Sequence, residues 1–289
     1  METKYNIAED SEGKEIAQFL RKLGYSRSII TQIKHGERLL LNGTKARTVD
    51  ILHSGDVLTI RMEDETEILP NSSLYVPVAY EDEDIVVFDK PYDMAVHPSI
   101  RHYEDTLANY FAYRYPGVTF RSISRLDRNT SGLVMVAKNK LSAAILSGNP
   151  RMRPKKLYYA VLTGDISSEF GCCGEIIAPI AREKESIITR IVSPEGQHAH
   201  TVFKVIKSSS EMSFIEASLV TGRTHQIRVH FSYKGYPLIG DDLYGGSREL
   251  ISRHALHCGC LSFTHPVTKE SIVVESEIPE DMKRLTDMI

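Results

Sequence analysis

Five unbroken apolar residues, Leu133-Val134-Met135-Val136-Ala137, constrain the fold of this chain more than any other stretch. The run is short and rich in β-branched side chains, so it reads as a buried strand. Directly before it stand Arg125-Leu126-Asp127-Arg128 and a small polar turn, Asn129-Thr130-Ser131-Gly132. Asp127 is thereby held on a loop against a rigid strand, a placement from which reactive groups are often presented. Basic neighbours favour the charged form of a carboxylate, and an ionised carboxylate suits a nucleophile working on an anionic polymer. Taken by itself the stretch is also, and more commonly, a surface turn with solvated arginines.

The rest of the chain suggests two domains, the ordinary count for 289 residues. Its 42% hydrophobic and 25% charged content is that of a globular protein. No apolar run approaches the roughly 20 residues that cross a bilayer, and Met1 to Asn6 lack the apolar core of a secretory leader. Cys172-Cys173 and Cys258-Gly259-Cys260 are spaced too closely for an ordinary disulfide framework, so a reducing cytoplasm is expected. A net charge of −3 argues mildly against nucleic acid, yet residues 11–60 carry eight Lys and Arg against five acids.

Within 11–60, Ile16, Phe19, Leu20 and Leu23 recur at helical spacing before Gly24. Ser26 can cap a second helix bearing Ile29, Ile30 and Ile33, and the Asn42-Gly43 turn and a strand at 57–60 complete a minimal module. Residues 61–77, with Pro70, Pro77 and several acids, read as an exposed linker. From 78 to 289 strands outnumber helices. Ile85 to Phe88 form a strand ending in a Lys90-Pro91 turn, and Leu107, Tyr110 and Phe111 share a helical face. Alternation in 156–162 puts Tyr158 and Tyr159 on opposite faces. Thr224 is a plausible cap for a helix carrying Ile227 and Phe231. No metal site is expected. His225, His230 and Glu216 lack the HExxH pattern, and His254, His257, Cys258 and Cys260 lack paired ligand spacing.

Arg125-Leu126-Asp127 followed by Thr130-Ser131-Gly132-Leu133 resembles the signature of the RluA-type RNA pseudouridine synthases. The resemblance continues through Tyr158, through the unbroken Gly222-Arg223-Thr224-His225-Gln226-Ile227-Arg228, and through Gly240-Asp241 and Leu256-His257. Ser26-Arg27-Ser28, Gly36, Asn42-Gly43 and Gly55-Asp56 resemble the small RNA-binding domain named after ribosomal protein S-four. The resemblance implies an α+β chain: an S-four-like domain at 11–60, a linker at 61–77, and a catalytic domain at 78–289. That domain should hold a mostly antiparallel mixed sheet flanked by helices.

The activity implied is isomerisation of uridine in RNA; large-subunit ribosomal RNA and transfer RNA are both substrates of the family, and the N-terminal module favours ribosomal RNA. A cytoplasmic monomer with no membrane association is expected. Asp127 is the expected nucleophile, attacking either the base or the sugar. Tyr158 packs on the target base or takes a proton, with stacking the safer role; Arg223 pairs with Asp127, and Arg125 helps hold the nucleotide out of its stack or fills the vacated space. Arg27, Lys34, Arg38 and Lys45 would face phosphates, which gives position rather than sequence choice. No redox step or external group is involved, so no cofactor is required. Two positions depart from the pattern: Ser124 stands where the family often has His, and Cys258 where it often has Ala. A non-catalytic RNA-binding protein is the competing reading. A glycosidase would need a second carboxylate, and none stands out near these motifs.

Overall fold

In the computed structural model, residues 2–23, 25, 30–31, 33–34, 38–61, 68–99, 101–148, 152–184, 186 and 188–289 are described, and the chain divides into Met1–Glu67 and Ile68–Ile289. The first unit pairs strands β1 (Glu2–Asn6), β2 (Leu39–Leu41), β3 (Thr44–Lys45) and β4 (Val57–Arg61) in the order β1-β4-β2-β3, with helix α1 (Ile16–Lys22) packed on them. Ile16, Leu20, Leu39, Leu58 and Ile60 fill its core. Asn42 and Gly43 both take positive φ, 52° and 80°, as a tight β2–β3 hairpin requires. The unit starts earlier than residue 11, because β1 lies antiparallel to β4 from Glu2↔Arg61 to Asn6↔Val57. Too few apolar residues mark β1 for a period to be read; pairing with β4 makes it a strand. The expected second helix falls largely outside the described residues, although Ile30 and Ile33 are buried in this core.

Residues 68–77 group with the second unit rather than standing between the two as a linker, although most of their side chains are exposed. Ile68 and Leu74 pack on its core, Val76 is buried, and the Asn71 amide donates to the Asn109 carbonyl at 3.1 Å. Proline and asparagine here end regular structure without freeing the chain, because the neighbouring helix supplies backbone partners.

The second unit is built on one ten-stranded sheet. Its strands are β5 (Val78–Glu81), β6 (Ile85–Lys90), β7 (Arg121–Ser122), β8 (Ser131–Ala137), β9 (Lys155–Thr163), β10 (Cys173–Ile177), β13 (His200–Ser208), β14 (Met212–Leu219), β15 (Leu256–Thr264) and β16 (Ser271–Glu275). The order is β10-β13-β14-β9-β15-β8-β6-β5, with β7 on β8 and β16 on β15. A separate hairpin joins β11 (Ile180–Arg182) to β12 (Arg190–Val192). Every pairing in the large sheet is antiparallel except β8 with β15, so the sheet is mixed and mostly antiparallel. All seven residues of β8 are buried, which accounts for its unbroken apolar run.

Helices α2 (Leu107–Arg114), α3 (Lys140–Gly148), α4 (Ser167–Phe170), α5 (Gln226–Tyr233) and α6 (Glu280–Asp287) flank the sheet. Thr106 and Asn109 form a capping box for α2, whose Tyr110 and Phe111 edge-pack on Phe88. Period two sorts β9 as expected. Tyr158, Ala160 and Leu162 join the main core, while Tyr159 and Val161 face a second cluster with Met282 and Leu285 of α6. Among the described residues no helix is long and apolar enough to cross a membrane.

The parallel pair brings β8 and β15 together at Gly132, opposite Cys258. Gly132 sits at φ +107°, and a Cβ there would lie 2.3 Å from the Cys258 carbonyl oxygen. Backbone strain and overpacking each cost of order 1–3 kcal/mol. Gly132→Ala is expected to lower the melting temperature by roughly 5–15 °C. An unchanged thermal transition by circular dichroism would refute this account of the strand junction.

Candidate active site

The loop before β8 is pinned from below. The Thr130 amide donates to the Asp127 carbonyl at 3.1 Å, and Thr130 Oγ1 lies 2.8 Å from His254 Nε2. Lys90, at the end of β6, is fully buried. Its Nζ donates to the carbonyls of Pro91 and Met94 at 2.8 Å and of Arg128 at 3.2 Å. Burial pushes this amine down to about 7, with Asp127 pulling the other way. Each hydrogen of its ammonium form has a carbonyl partner. A residue that reads as part of a surface turn thus clamps the base of the Asp127 loop.

The carboxylate of Asp127 meets Arg228, the third residue of α5. Arg228 Nη1 is 3.2 Å from Asp127 Oδ2, while Nε and Nη2 hold Asp241 bidentately at 2.7 and 2.8 Å. Arg228 is 7% exposed and Asp241 1%, against 29% for Asp127, so only Asp127 opens to solvent. Burial works against the guanidinium charge, but Asp241 and Asp127 outweigh it and raise its pKa. The same guanidinium stacks 4.9 Å over the Tyr244 ring.

His225 supplies a second contact. It caps α5 in the left-handed region at φ 57°, a conformation that histidine tolerates better than most residues. Its Nε2 is 3.7 Å from Asp127 Oδ2, and its Nδ1 is 2.8 Å from the Tyr244 hydroxyl. That hydroxyl accepts from the Arg190 amide at 3.0 Å, leaving its own hydrogen for Nδ1. With that hydrogen given to Nδ1, the ring hydrogen would sit on Nε2, facing the carboxylate. Burial keeps this imidazole below its ordinary pKa despite Asp127.

Several expected contacts are corrected. Arg223 does not pair with Asp127. Its amide donates to Gln226 Oε1 at 2.9 Å and its Nε to the His198 carbonyl at 3.0 Å, which turns its exposed side chain outward. The second arginine of the segment takes the inward place because the helix begins at Gln226. For the same reason His225, not Thr224, is the N-cap. Neither arginine beside Asp127 reaches its carboxylate. Arg128 pairs with Asp93 at 2.8 Å and contacts His102 at 2.8 Å. The Arg125 side chain is exposed, with no hydrogen bond or ion pair to another described residue.

Tyr158 is 5% exposed on β9, between Ala217 of β14 and Cys258 of β15. Burial, then Cys258 and Asp127, raise its phenol well above 10, so it stays neutral. Ser124 is buried, and its Oγ accepts from the Met135 amide at 3.2 Å, a structural bond beneath the loop. In the first unit Lys34 and Lys45 are exposed and Arg38 is half-buried; Arg27 lies outside the described residues.

His254, His257 and Cys258 are buried in the core, and Cys260 is half-buried. His257 Nδ1 bonds Ser131 Oγ at 2.9 Å, and burial pushes the Cys258 thiol up to about 12. Asp82, Asp84 and His265 form the one group of ligand type among the described residues. The Thr268 amide donates to His265 Nδ1 at 3.0 Å, so the ring hydrogen sits on Nε2, 3.0 Å from Asp82, where a metal would need a lone pair. Asp241, the carboxylate sharing Arg228 with Asp127, is buried and cannot act across a sugar-sized cleft.

Arg228→Leu would leave Asp241 as an unpaired buried charge, costing about 3–5 kcal/mol in urea unfolding. Arg223→Leu, at an exposed position, is expected within about 0.5 kcal/mol of wild type. Equal losses for the two would contradict this arrangement. Burial also lowers His254 to about 2 and His257 to about 4, with Arg253 adding to both. Below pH 6.5 the unfolded chain gains protons that these folded rings refuse, so stability falls as pH drops from 6.5 toward 4. The two together should cost about 2–3 kcal/mol at pH 5.5. A urea midpoint equal at pH 7.5 and 5.5 would show that these rings are not held neutral.

The family described as RNA pseudouridylate synthase matches residues 84–233. An uncharacterised RNA pseudouridine synthase of Bacillus subtilis, YjbO, is 39% identical over 279 residues, covering 93% of this chain and 97% of that protein. Ribosomal large subunit pseudouridine synthase D of Pseudomonas aeruginosa is 35% identical, covering 89% of this chain and 85% of its own length. Among solved structures, human RNA pseudouridylate synthase domain containing 1 superposes with a TM-score of 0.60 at 26% identity, over 76% of this chain and 96% of that one. The match to the family over the segment that carries Asp127, Tyr158 and Arg228 places this chain among the RNA pseudouridine synthases.

Proposed function

We propose that this enzyme converts uridine to pseudouridine in large-subunit ribosomal RNA, with Asp127 as its nucleophile. The observation that carries this reading is the one-sided support of the carboxylate. Arg228 and His225 both meet Oδ2, which leaves Oδ1 as the attacking oxygen. Ribosomal RNA is favoured because relatives covering most of this chain carry the name ribosomal large subunit pseudouridine synthase D.

The bond from uracil N1 to the anomeric carbon breaks, the base turns, and its C5 bonds to the same carbon. C5 gives up a proton and N1 gains one, so atoms balance without redox chemistry. Asp127 adds to the anomeric carbon or to the uracil ring and is released when the new bond is complete. The uridine must leave its stack first. Exposed Arg125, whose planar fork both stacks and binds phosphate, takes the vacated space. Tyr158, neutral on β9 beside Cys258 of β15, packs on the base in this reading. In the S-four-like first unit, Arg27, Lys34, Arg38 and Lys45 meet phosphates and set position. The protein acts as a cytoplasmic monomer in this reading.

RNA tritiated at uracil C5 tests it. Wild type should release tritium from ribosomal RNA, Asp127→Asn should release it roughly 10⁴-fold more slowly, and Arg125→Ala should be slowed on structured RNA. Release by Asp127→Asn at the wild-type rate would remove the nucleophile assignment, and normal turnover by Arg125→Ala would remove the flipping role. No release by wild type from ribosomal or transfer RNA, with RNA still bound, would favour the non-catalytic reading.

A further inference from the structure

Arg223, turned away from Asp127, lines a pocket with Arg182 of β11, Arg190 of β12, Glu195, Gln197 and Thr224. Three arginines from three separate segments line it, with one carboxylate among the described residues. The floor is backbone. Gly196 approaches Ile180 so closely that a Cβ would lie 2.5 Å from a backbone atom, and Ile180 and Gln197 exchange amide bonds at 2.9 and 2.8 Å. The guanidinium of Arg182 and the two Nη nitrogens of Arg223 have no hydrogen bond to another described residue, although Arg223 is anchored through Nε. Arg190 Nη1 is bonded to the carbonyls of Ile188 and Thr189, which fixes its plane within the hairpin.

We infer that this pocket is a subsite for a backbone phosphate of the RNA next to the target uridine. The planar forks of Arg182 and Arg223 match the geometry of a phosphodiester. Gln197 and Thr224 add neutral donors at the rim. The subsite is tied to the nucleophile through one strand: the Arg190 amide donates to Tyr244, Tyr244 contacts His225, and His225 faces Asp127. A phosphate held there fixes the nucleotide chain beside the carboxylate. This assignment rests on the RNA-modifying reading above but not on turnover.

The test is binding of a fluorescein-labelled RNA stem-loop, with uridines in its loop, to the full chain carrying Asp127→Asn, which removes turnover. Arg182→Gln with Arg223→Gln is expected to raise Kd by about 5–10-fold at moderate salt and to make the slope of log K against log salt shallower by about 1. Arg190 is left intact because it supports the hairpin. Lys283→Gln, which removes a charge from α6, should leave Kd within about 1.5-fold. Unchanged affinity and slope in the double variant, or equal weakening by Lys283→Gln, would overturn the subsite. Arginine-dependent binding without tritium release by wild type would instead sink the isomerase reading and leave the subsite standing. Normal release with arginine-independent binding would do the reverse.

Discussion

One buried guanidinium holds the site together. Arg228 binds Asp241 through two hydrogen bonds and Asp127 through a third, at 7% exposure. A charge so deep is costly unless it is paired and fully hydrogen-bonded. Asp241 meets most of that need, which frees Asp127 to stay partly open to solvent while remaining oriented. Tyr244 then covers the guanidinium plane, and its hydroxyl places His225 against the same carboxylate oxygen. A reactive group is thereby fixed by neighbours that are themselves fixed, which is what preorganisation requires.

Lys90 does for the backbone what Arg228 does for the side chain. The carbonyl of Arg128 and those of Pro91 and Met94 converge on one ammonium, so the Asp127 loop and the end of β6 move together. With Gly132 fitted against Cys258, the loop has little freedom of its own. The conformational work of the reaction then falls on the RNA, whose base must leave its stack to meet a site already formed.

Much of this was legible in the residues, and what was not has a physical reason. The β8 run, the Asn42-Gly43 turn and the α2 aromatic face carry local signals strong enough to survive folding. β1 carries almost none, because its apolar residues are too few and its partner lies some fifty residues away. The segment Gly222 to Arg228 marks the site, but which arginine faces inward depends on where the helix starts. A start at Gln226, with His225 left-handed, sends Arg228 in and Arg223 out, and no spacing rule reveals that. Lys90 was obscured for a similar reason: a Lys-Pro pair reads as a turn, and the Arg128 carbonyl that buries it lies 38 residues on.

The unequal sharing of Arg228 also bears on how such a chain could age. If Asp127 were lost, the guanidinium would keep its bidentate partner and the interior would stay neutral. The fold's own demand for the nucleophile is therefore limited to that one hydrogen bond. Gene copies could decay into inert RNA binders without passing through an unstable intermediate, whereas loss of Asp241 would be purged at once as a folding defect.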